Sequence, residues 1–284
     1  MKVLVTGSSG RIGHYAVQDL EEAGHQVLGI DIVPGQKTGL VVDLTKSGEI
    51  YQALARAQAE AVVHMGAWAN PGVVPDTRTY GENVQGSFNL FQACAELGIK
   101  RVVSASSAQV YGFAGAPPEF VRVDESHPTR PINCYALSKV AGEQAADYFV
   151  KNFGLTILSF RFMGIRSPEE LDREVDQLIA HPEKGGALLW TRTDVRDAAL
   201  ACRLAIEAGS PASGPYNITG GRVLLDVEAN ELVHKYCKGV EDRGNLVGVE
   251  SPMSCKRAKQ EFGYTAQYVW SVSERHLETD ICLM

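Results

Sequence analysis

Short, nearly unbroken apolar runs alternate along the chain with longer stretches whose apolar residues recur every three to four positions. The runs Lys2–Thr6, Gln26–Asp31, Leu40–Asp43, Ala61–Met65, Arg101–Ala105 and Leu155–Phe160 read as strands. Arg11–Ala23, Lys46–Gln58, Thr77–Leu97 and Cys134–Asn152 read as the helices between them. Apolar strands alternating with helices predict an α/β fold, a doubly wound parallel sheet covered on both faces. Three irregular stretches, Trp68–Asp76, Tyr111–Asn133 and Arg161–Pro168, each follow a strand, at the sheet edge where such folds bind ligands. The second carries four prolines, Pro117, Pro118, Pro128 and Pro131, and reads as a surface loop. Beyond Pro168 the order loosens into helices at Pro168–Ala180, Asp194–Glu207, Asp226–Tyr236 and Ser254–Phe262, with short strands near Ala187–Trp190 and Tyr216–Thr219. The expected organisation is a nucleotide-binding domain over residues 1–165. A small C-terminal substrate lobe over 166–284 follows, with some segments returning to the first domain. On the helix at Asp194–Glu207, Val195, Ala198, Ala199, Cys202 and Ile206 share one face, which is core spacing.

Composition narrows the function classes. The chain has 284 residues, 45% hydrophobic and 21% charged, which excludes a disordered chain, a collagen and a disulfide-stapled miniprotein. A net charge of −7 argues against a broad nucleic-acid surface. No run approaches the ~18 apolar residues of a membrane span. The six cysteines (94, 134, 202, 237, 255 and 282) form no C-x-x-C pair and read as reduced thiols. Lys2–Thr6 reads as a strand rather than as part of a signal peptide, so a cytoplasmic address is the default expectation. The seven histidines lack metal-ligand spacing, so no metal is expected. His64, at a strand end, is expected to pack near a cofactor.

Thr6-Gly7-Ser8-Ser9-Gly10-Arg11-Ile12-Gly13 lies between the first strand and the first helix. Gly7 permits the tight turn, Gly10 lets backbone amides approach a pyrophosphate, and Gly13 lets the helix pack against the strand. The helix N-terminus adds about half a positive charge. A dinucleotide is therefore expected, and the fold becomes a Rossmann-type sheet. Asp31 ends the second strand about 20 residues past the loop, where a carboxylate accepts from ribose hydroxyls and repels a 2′-phosphate. This favours NAD, while Arg11 and Lys37 nearby leave NADP open. Asp43 and Leu44, after the third strand, are expected near the adenine, although a plain helix cap suits Asp43 nearly as well.

Tyr135 and Lys139, four residues apart, share one face of the helix that follows the proline-rich loop. A phenol with a pKa near 10 is a poor base at neutral pH. An ammonium at ~4 Å and effective dielectric ~20 contributes about 4 kcal/mol toward the phenolate, or roughly three pK units. Tyr135 is thus expected to titrate near neutrality, where general acid–base catalysis works best. Ser107, after the fifth strand, is placed to hydrogen-bond the substrate oxygen whose charge changes in the transition state.

In these elements the chain resembles the extended short-chain dehydrogenase/reductases, the NAD-dependent epimerase/dehydratase family. The resemblance is carried by Thr6–Gly13, Asp31, His64-Met65-Gly66-Ala67, Asn83-Val84-Gln85-Gly86, Ser106–Gly112 and Tyr135–Lys139, with weaker echoes in Asp194–Asp197 and Ser254–Tyr264. It implies that Tyr135 is the base, that Lys139 holds the nicotinamide ribose and lowers the Tyr135 pKa, and that Ser107 polarises the substrate oxygen. It also implies that Met65, Gly66 and Ala67 lie along the cofactor, that Asn83 stands near it, and that the helices Thr77–Leu97 and Cys134–Asn152 pair two subunits into a homodimer. Members acting on nucleotide sugars carry an Arg-x-x-Asn motif after the sixth strand and then a long segment around the diphosphate. Here the chain reads Arg161-Phe162-Met163-Gly164, and only about thirty residues lead on to Trp190–Asp197. That favours a small sugar, uronate or similar hydroxyl compound, oxidised by hydride transfer, over a nucleotide sugar epimerised with trapped cofactor. A non-catalytic dinucleotide sensor is a third reading, disfavoured by the tyrosine–lysine pair. Trp68, Gln109, Tyr111, Met163 and Trp190 fall in loops expected to face substrate. Arg166 or Arg192 is the candidate clamp for a substrate carboxylate.

Overall fold

The computed structural model describes residues 1–272 and the backbone of residues 277–278; Cys282 lies outside the described residues. The first half runs β1 (Lys2–Thr6), α1 (Arg11–Glu22), β2 (Gln26–Asp31), β3 (Leu40–Val41), α2 (Ser47–Ala57), β4 (Ala61–His64), α3 (Asp76–Glu96), β5 (Arg101–Ser107), β6 (Phe120–Val121) and α4 (Cys134–Phe153). The second runs β7 (Thr156–Phe162), β8 (Ile165–Arg166), α5 (Pro168–Ala180), β9 (Thr193–Asp194), α6 (Val195–Glu207), β10 (Gly214–Ile218), α7 (Ala229–Tyr236), β11 (Glu241–Asp242), α8 (Lys256–Phe262), β12 (Tyr268–Val269) and β13 (Leu277–Glu278).

Seven of these strands form one sheet in the order β10-β7-β5-β4-β1-β2-β3, parallel throughout. The chain builds outward from β1 to β3, then crosses back to lay β4 on the other side of β1. A crevice opens at that reversal, beyond the carboxyl ends of the strands. Successive strand residues point to opposite faces, and both faces are apolar. Val3 and Val5 join Ala16, Val17 and Leu20 of α1 and Ala198 to Ile206 of α6 in one core. Leu4 joins Ile50 and Leu54 of α2, Leu90 and Phe91 of α3 and Phe149 of α4 in the other.

A third apolar cluster lies off the sheet's carboxyl edge. It gathers Val110, Tyr111 and Phe113, then Met163, Leu171, Val175 and Trp190, and then Val223 to Val233 and Met253. The stretch 111–133 is therefore not a plain surface loop. Tyr111 stacks on Phe113 at 5.3 Å, and His127 sits edge-on to both, so the prolines shape a buried knot rather than a solvated excursion. The expected strand at Ala187–Trp190 is also corrected. Pro182–Leu188 coils as a 3-10 helix, and Leu189 and Trp190 follow in left-handed backbone with φ of 50° and 54°. Gly185 allows it, since a Cβ there would lie 2.1 Å from Trp190 Cδ1, and the indole Nε1 donates to the Pro182 carbonyl at 2.6 Å. The strand expected at Tyr216–Thr219 is β10, which joins the main sheet beside β7. Among the described residues, no helix is long and apolar enough to cross a membrane.

Trp190 is fully buried in the off-sheet cluster. Trp190→Ala is therefore expected to cost about 3–5 kcal/mol of unfolding free energy. Urea titration checks this; a midpoint equal to that of the parent would show that the indole is not a packing anchor.

Candidate active site

The site begins at the end of β1. Gly7 takes φ 71°, and the Gly10 amide closes the turn on the Gly7 carbonyl at 2.9 Å. A Cβ at Gly7 would lie 2.7 Å from the Gly66 amide nitrogen, and one at Gly13 would lie 2.0 Å from the Gly7 carbonyl oxygen, so neither position admits a side chain. Gly10 caps α1 without a side chain, which leaves first-turn amides to a ligand. One Asp31 carboxylate oxygen accepts from the Ser9 amide at 2.9 Å and the other from the Val33 amide at 3.2 Å, fixing the acid at the end of β2. Asp43 accepts from the Thr45 amide at 2.8 Å.

A polar chain underlies these loops. The Gly66 amide donates to Thr6 Oγ1 at 2.9 Å, and Thr6 Oγ1 lies 2.8 Å from His64 Nδ1. His64 Nε2 meets Ser87 Oγ at 3.1 Å, and the Ser87 hydroxyl donates to the Asn83 carbonyl at 2.9 Å. With the Ser87 proton committed to Asn83, His64 Nε2 carries the ring proton and donates to Ser87, and in the neutral ring Nδ1 accepts from the Thr6 hydroxyl. Burial, reinforced by the Lys139 charge, lowers its pKa to about 3. Asn83 accepts from the Trp68 amide at 2.8 Å and donates to Ser138 Oγ at 3.1 Å, tying α3 to the loop after β4 and to α4.

Ser107 ends β5, and Tyr135 and Lys139 lie on the first turns of α4, which Asn133 caps by accepting from the Ala136 amide at 2.8 Å. The Ser107 hydroxyl shares a hydrogen bond with the Tyr135 phenol. Lys139 Nζ stands 5.6 Å from the Tyr135 ring centroid and donates to the Ala105 carbonyl at 2.8 Å. The expectation of a phenol titrating near neutrality does not hold for the protein by itself. Burial pushes Tyr135 up to about 12 against the Ser107 hydrogen bond, and burial pulls Lys139 down to about 8. Desolvation outweighs the pair's attraction because the ammonium is aimed at a backbone carbonyl rather than at the phenol oxygen.

These residues meet in one cleft of about 690 Å³ that runs from Asp31 and Asp43 past the glycine loop to Tyr135 and Lys139. Every residue expected on the cofactor lines it, as do Ser107, Trp68, Gln109 and Arg166. Met163 and Trp190 do not; both are wholly buried in the off-sheet core, because β7 continues to Phe162 and turns Met163 inward. Tyr111 is likewise buried and accepts from Arg161 Nη1 at 2.9 Å. Arg192 is buried against Glu174, which also binds Arg166 Nε at 2.6 Å, so only Arg166 of the two arginines reaches the cleft. Arg11 pairs with Glu170 at 2.6 Å and donates to the Ile165 carbonyl at 2.8 Å, while Lys37 pairs with Glu21. No motif points to Ile165 and Leu188 as lining residues, since their places depend on β8 pairing with β9 and on the turn beneath Trp190. The glycine cradle, the free first-turn amides and the anchored Asp31 fit an extended dinucleotide.

A model of the NAD dependent epimerase/dehydratase family matches residues 3–219. The chain is similar to an L-arabinose 1-dehydrogenase (NAD(P)(+)) of Haloferax volcanii, 29% identical over 62% of this chain and 72% of that one. It is also similar to a UDP-glucose 4-epimerase of Streptomyces lividans, 33% identical over 51% of this chain and 48% of that one, so it spans about half of the epimerase's length. A short-chain dehydrogenase/reductase superfamily protein from Agrobacterium tumefaciens, solved with bound NAD, superposes with a TM-score of 0.71 at 24% identity, covering 94% of this chain and 93% of that one.

The folded chain protonates His64 only at about 3, against an ordinary value of 6.5. Its contribution to stability is whole above pH 6.5 and is lost as pH falls from there toward 3. His64→Gln is expected to flatten that fall by a few kcal/mol, on the order of what such a shift is worth. Asp197, raised by burial to about 7, works in the opposite direction but equally in both proteins. Urea unfolding at stepped pH reads the difference; parallel curves would refute a neutral, buried His64.

Proposed function

The chain belongs to the NAD dependent epimerase/dehydratase family, and on that premise we propose that it is a dehydrogenase that oxidises a secondary hydroxyl of a small sugar or sugar acid with NAD. The observation that carries this reading is the meeting of Ser107, Tyr135 and Lys139 at the end of a cleft whose other end holds the glycine loop and Asp31. Gly7 to Gly13 would seat the pyrophosphate, Asp31 the adenosine ribose, and Lys139 the ribose next to the nicotinamide. NAD, when bound, supplies a two-electron hydride acceptor. Tyr135 takes the proton of the substrate hydroxyl during oxidation and returns it in the reverse direction. Ser107, whose hydroxyl favours the ionised phenol when no substrate is present, would turn its one proton to the substrate oxygen when substrate binds. Lys139, held by the Ala105 carbonyl with its Nζ 5.6 Å from the Tyr135 ring centroid, offsets part of what burial costs an ionised phenol.

The short chain between Arg161 and Trp190, which reaches the substrate end of the cleft through Gly164, Ile165, Arg166 and Leu188, supports a small substrate. Trp68 is held there by Nε1 donating to Glu82 at 2.7 Å, with the Arg78 guanidinium 5.3 Å from its ring centroid. Arg166 and Arg192 share the single carboxylate of Glu174, which leaves net positive charge at this end and suits a substrate that carries a carboxylate. The second reading, an epimerase that retains its cofactor, rests on the similarity to the Streptomyces enzyme. The proposal extends to a homodimer. Tyr80, Val84 and Phe88 on α3, and Leu137, Ala141 and Tyr148 on α4, recur at helical spacing, and Phe88 and Tyr148 are 43% and 48% exposed.

With NAD and a panel of aldoses, uronates and hydroxy acids, NADH is expected to accumulate for at least one sugar. Tyr135→Phe should abolish that turnover while NAD affinity stays within a few-fold. A sugar interconverted with no NADH signal would replace the dehydrogenase by the epimerase, and full activity in Tyr135→Phe would reject both. In sedimentation, Phe88→Glu with Tyr148→Glu should convert a dimer into a monomer; a monomeric parent protein would rule the dimer out.

A further inference from the structure

Three consecutive residues at the end of β5 are each fastened to α4. The Ala105 carbonyl accepts from Lys139 Nζ at 2.8 Å, the Ser106 hydroxyl donates to Glu143 Oε1 at 2.6 Å, and Ser107 hydrogen-bonds Tyr135. Tyr135, Lys139 and Glu143 are spaced four apart, so they stack on one face of the helix. Glu143 is gripped from the next strand, because Arg161 Nε donates to Oε1 at 2.9 Å and Nη2 to Oε2 at 2.7 Å. Arg161 is register-paired with Ser106 across β5 and β7. A polar cavity of about 10 Å³ lies between these groups, lined by Asn83, Ser104, Ser106, Ser138, Lys139 and Glu143 among others. That is room for one water with several polar partners.

We propose that Glu143, gripped by Arg161, is a positioning residue of the reaction: it locks the Ser106–Ser107 strand end against α4. It acts through Ser107 and Lys139 and does not itself reach the cleft. The inference rests on the proposed roles of Tyr135 and Lys139. Its electrostatic sign is fixed by the neighbourhood. Lys139 shares the small cavity with Glu143 of its own helix and acts on neutral His64 of β4; Arg161 of β7 grips the Glu143 carboxylate and in turn meets the Tyr111 hydroxyl and the Glu125 carbonyl. Loss of the Glu143 charge leaves Arg161 uncompensated, which lowers the pKa of Lys139 and of Tyr135 together.

The test uses the full chain. Lysine Cε resonances report the Lys139 titration, assigned by their loss in Lys139→Met, and steady-state rates are taken with NAD and with L-arabinose and D-glucuronate as probes. In Glu143→Gln the Lys139 midpoint, about 8 in the parent, should fall by about one unit. The acid limb of kcat should move the same way, and kcat should fall about ten- to a hundredfold with NAD affinity unchanged. Glu143→Asp should restore the midpoint. Ser106→Ala should lower kcat without moving the limb. An unmoved midpoint in Glu143→Gln, or an unchanged kcat, overturns the proposal. If the single variant fails to fold, Glu143→Gln with Arg161→Met removes both buried charges; the kcat loss must persist there, and its absence overturns the proposal as well. If Tyr135→Phe retains turnover, the proposed function fails, and the Lys139 titration still decides whether Glu143 governs the lysine.

Discussion

Two backbones pass each other at contact distance where the strand order reverses, and the rest of the site is built around that contact. Gly7 after β1 and Gly66 after β4 leave no space for a β-carbon between them. The chain Gly66–Thr6–His64–Ser87–Asn83 holds them there with every proton assigned. A buried polar chain of this kind is stabilising only when complete, because each orphaned group would bear its full desolvation cost. Its completeness explains why a histidine is tolerated uncharged in the middle of the sheet and why the phosphate loop has a single shape.

The proposed chemistry sits at the opposite side of the crevice, and it follows the same logic with charges added. Lys139 and Tyr135 are both desolvated, and both are displaced toward their neutral forms. The pair is thereby set to respond to whatever charge enters the cleft beside it, since little solvent screens it there. The Glu143–Arg161 ion pair below is the fixed reference against which that response occurs. Breaking one partner of such a buried pair is costly, whereas the intact pair holds α4 and β7 in one register.

Much of this was legible in the chain. Five of the first half's six strands, its four helices and β7 follow from period alone, whereas β6 lies inside the proline-rich stretch; the glycine spacing, Asp31 and the Tyr135–Lys139 interval mark the cleft in the chain itself. What the sequence could not convey depends on contacts between distant segments. Trp190 and Met163 fall in apparent loops, yet they are buried because α5, α7 and the 111–123 stretch close over them. Arg192 reads as a free cation until Glu174, eighteen residues earlier, is brought against it. The Tyr135 pKa was misjudged for a related reason: the helical spacing gave the attraction, but not the depth of burial that opposes it. Glu143 belongs to the same four-residue series as Tyr135 and Lys139, but its meaning appears only when Ser106 and Arg161 are seen on its carboxylate.

The off-sheet cluster is assembled from separate excursions of the chain, 108–123, 163–190 and 223–253, each of which leaves the sheet and comes back to it. The residues proposed to handle the proton stand on β5 and α4, elements stapled into the sheet layer. Insertions or replacements in the excursions can therefore remodel what the cleft admits while the reacting centre stays put. In such an architecture, new selectivities are open to descent at low mechanistic risk, one excursion at a time.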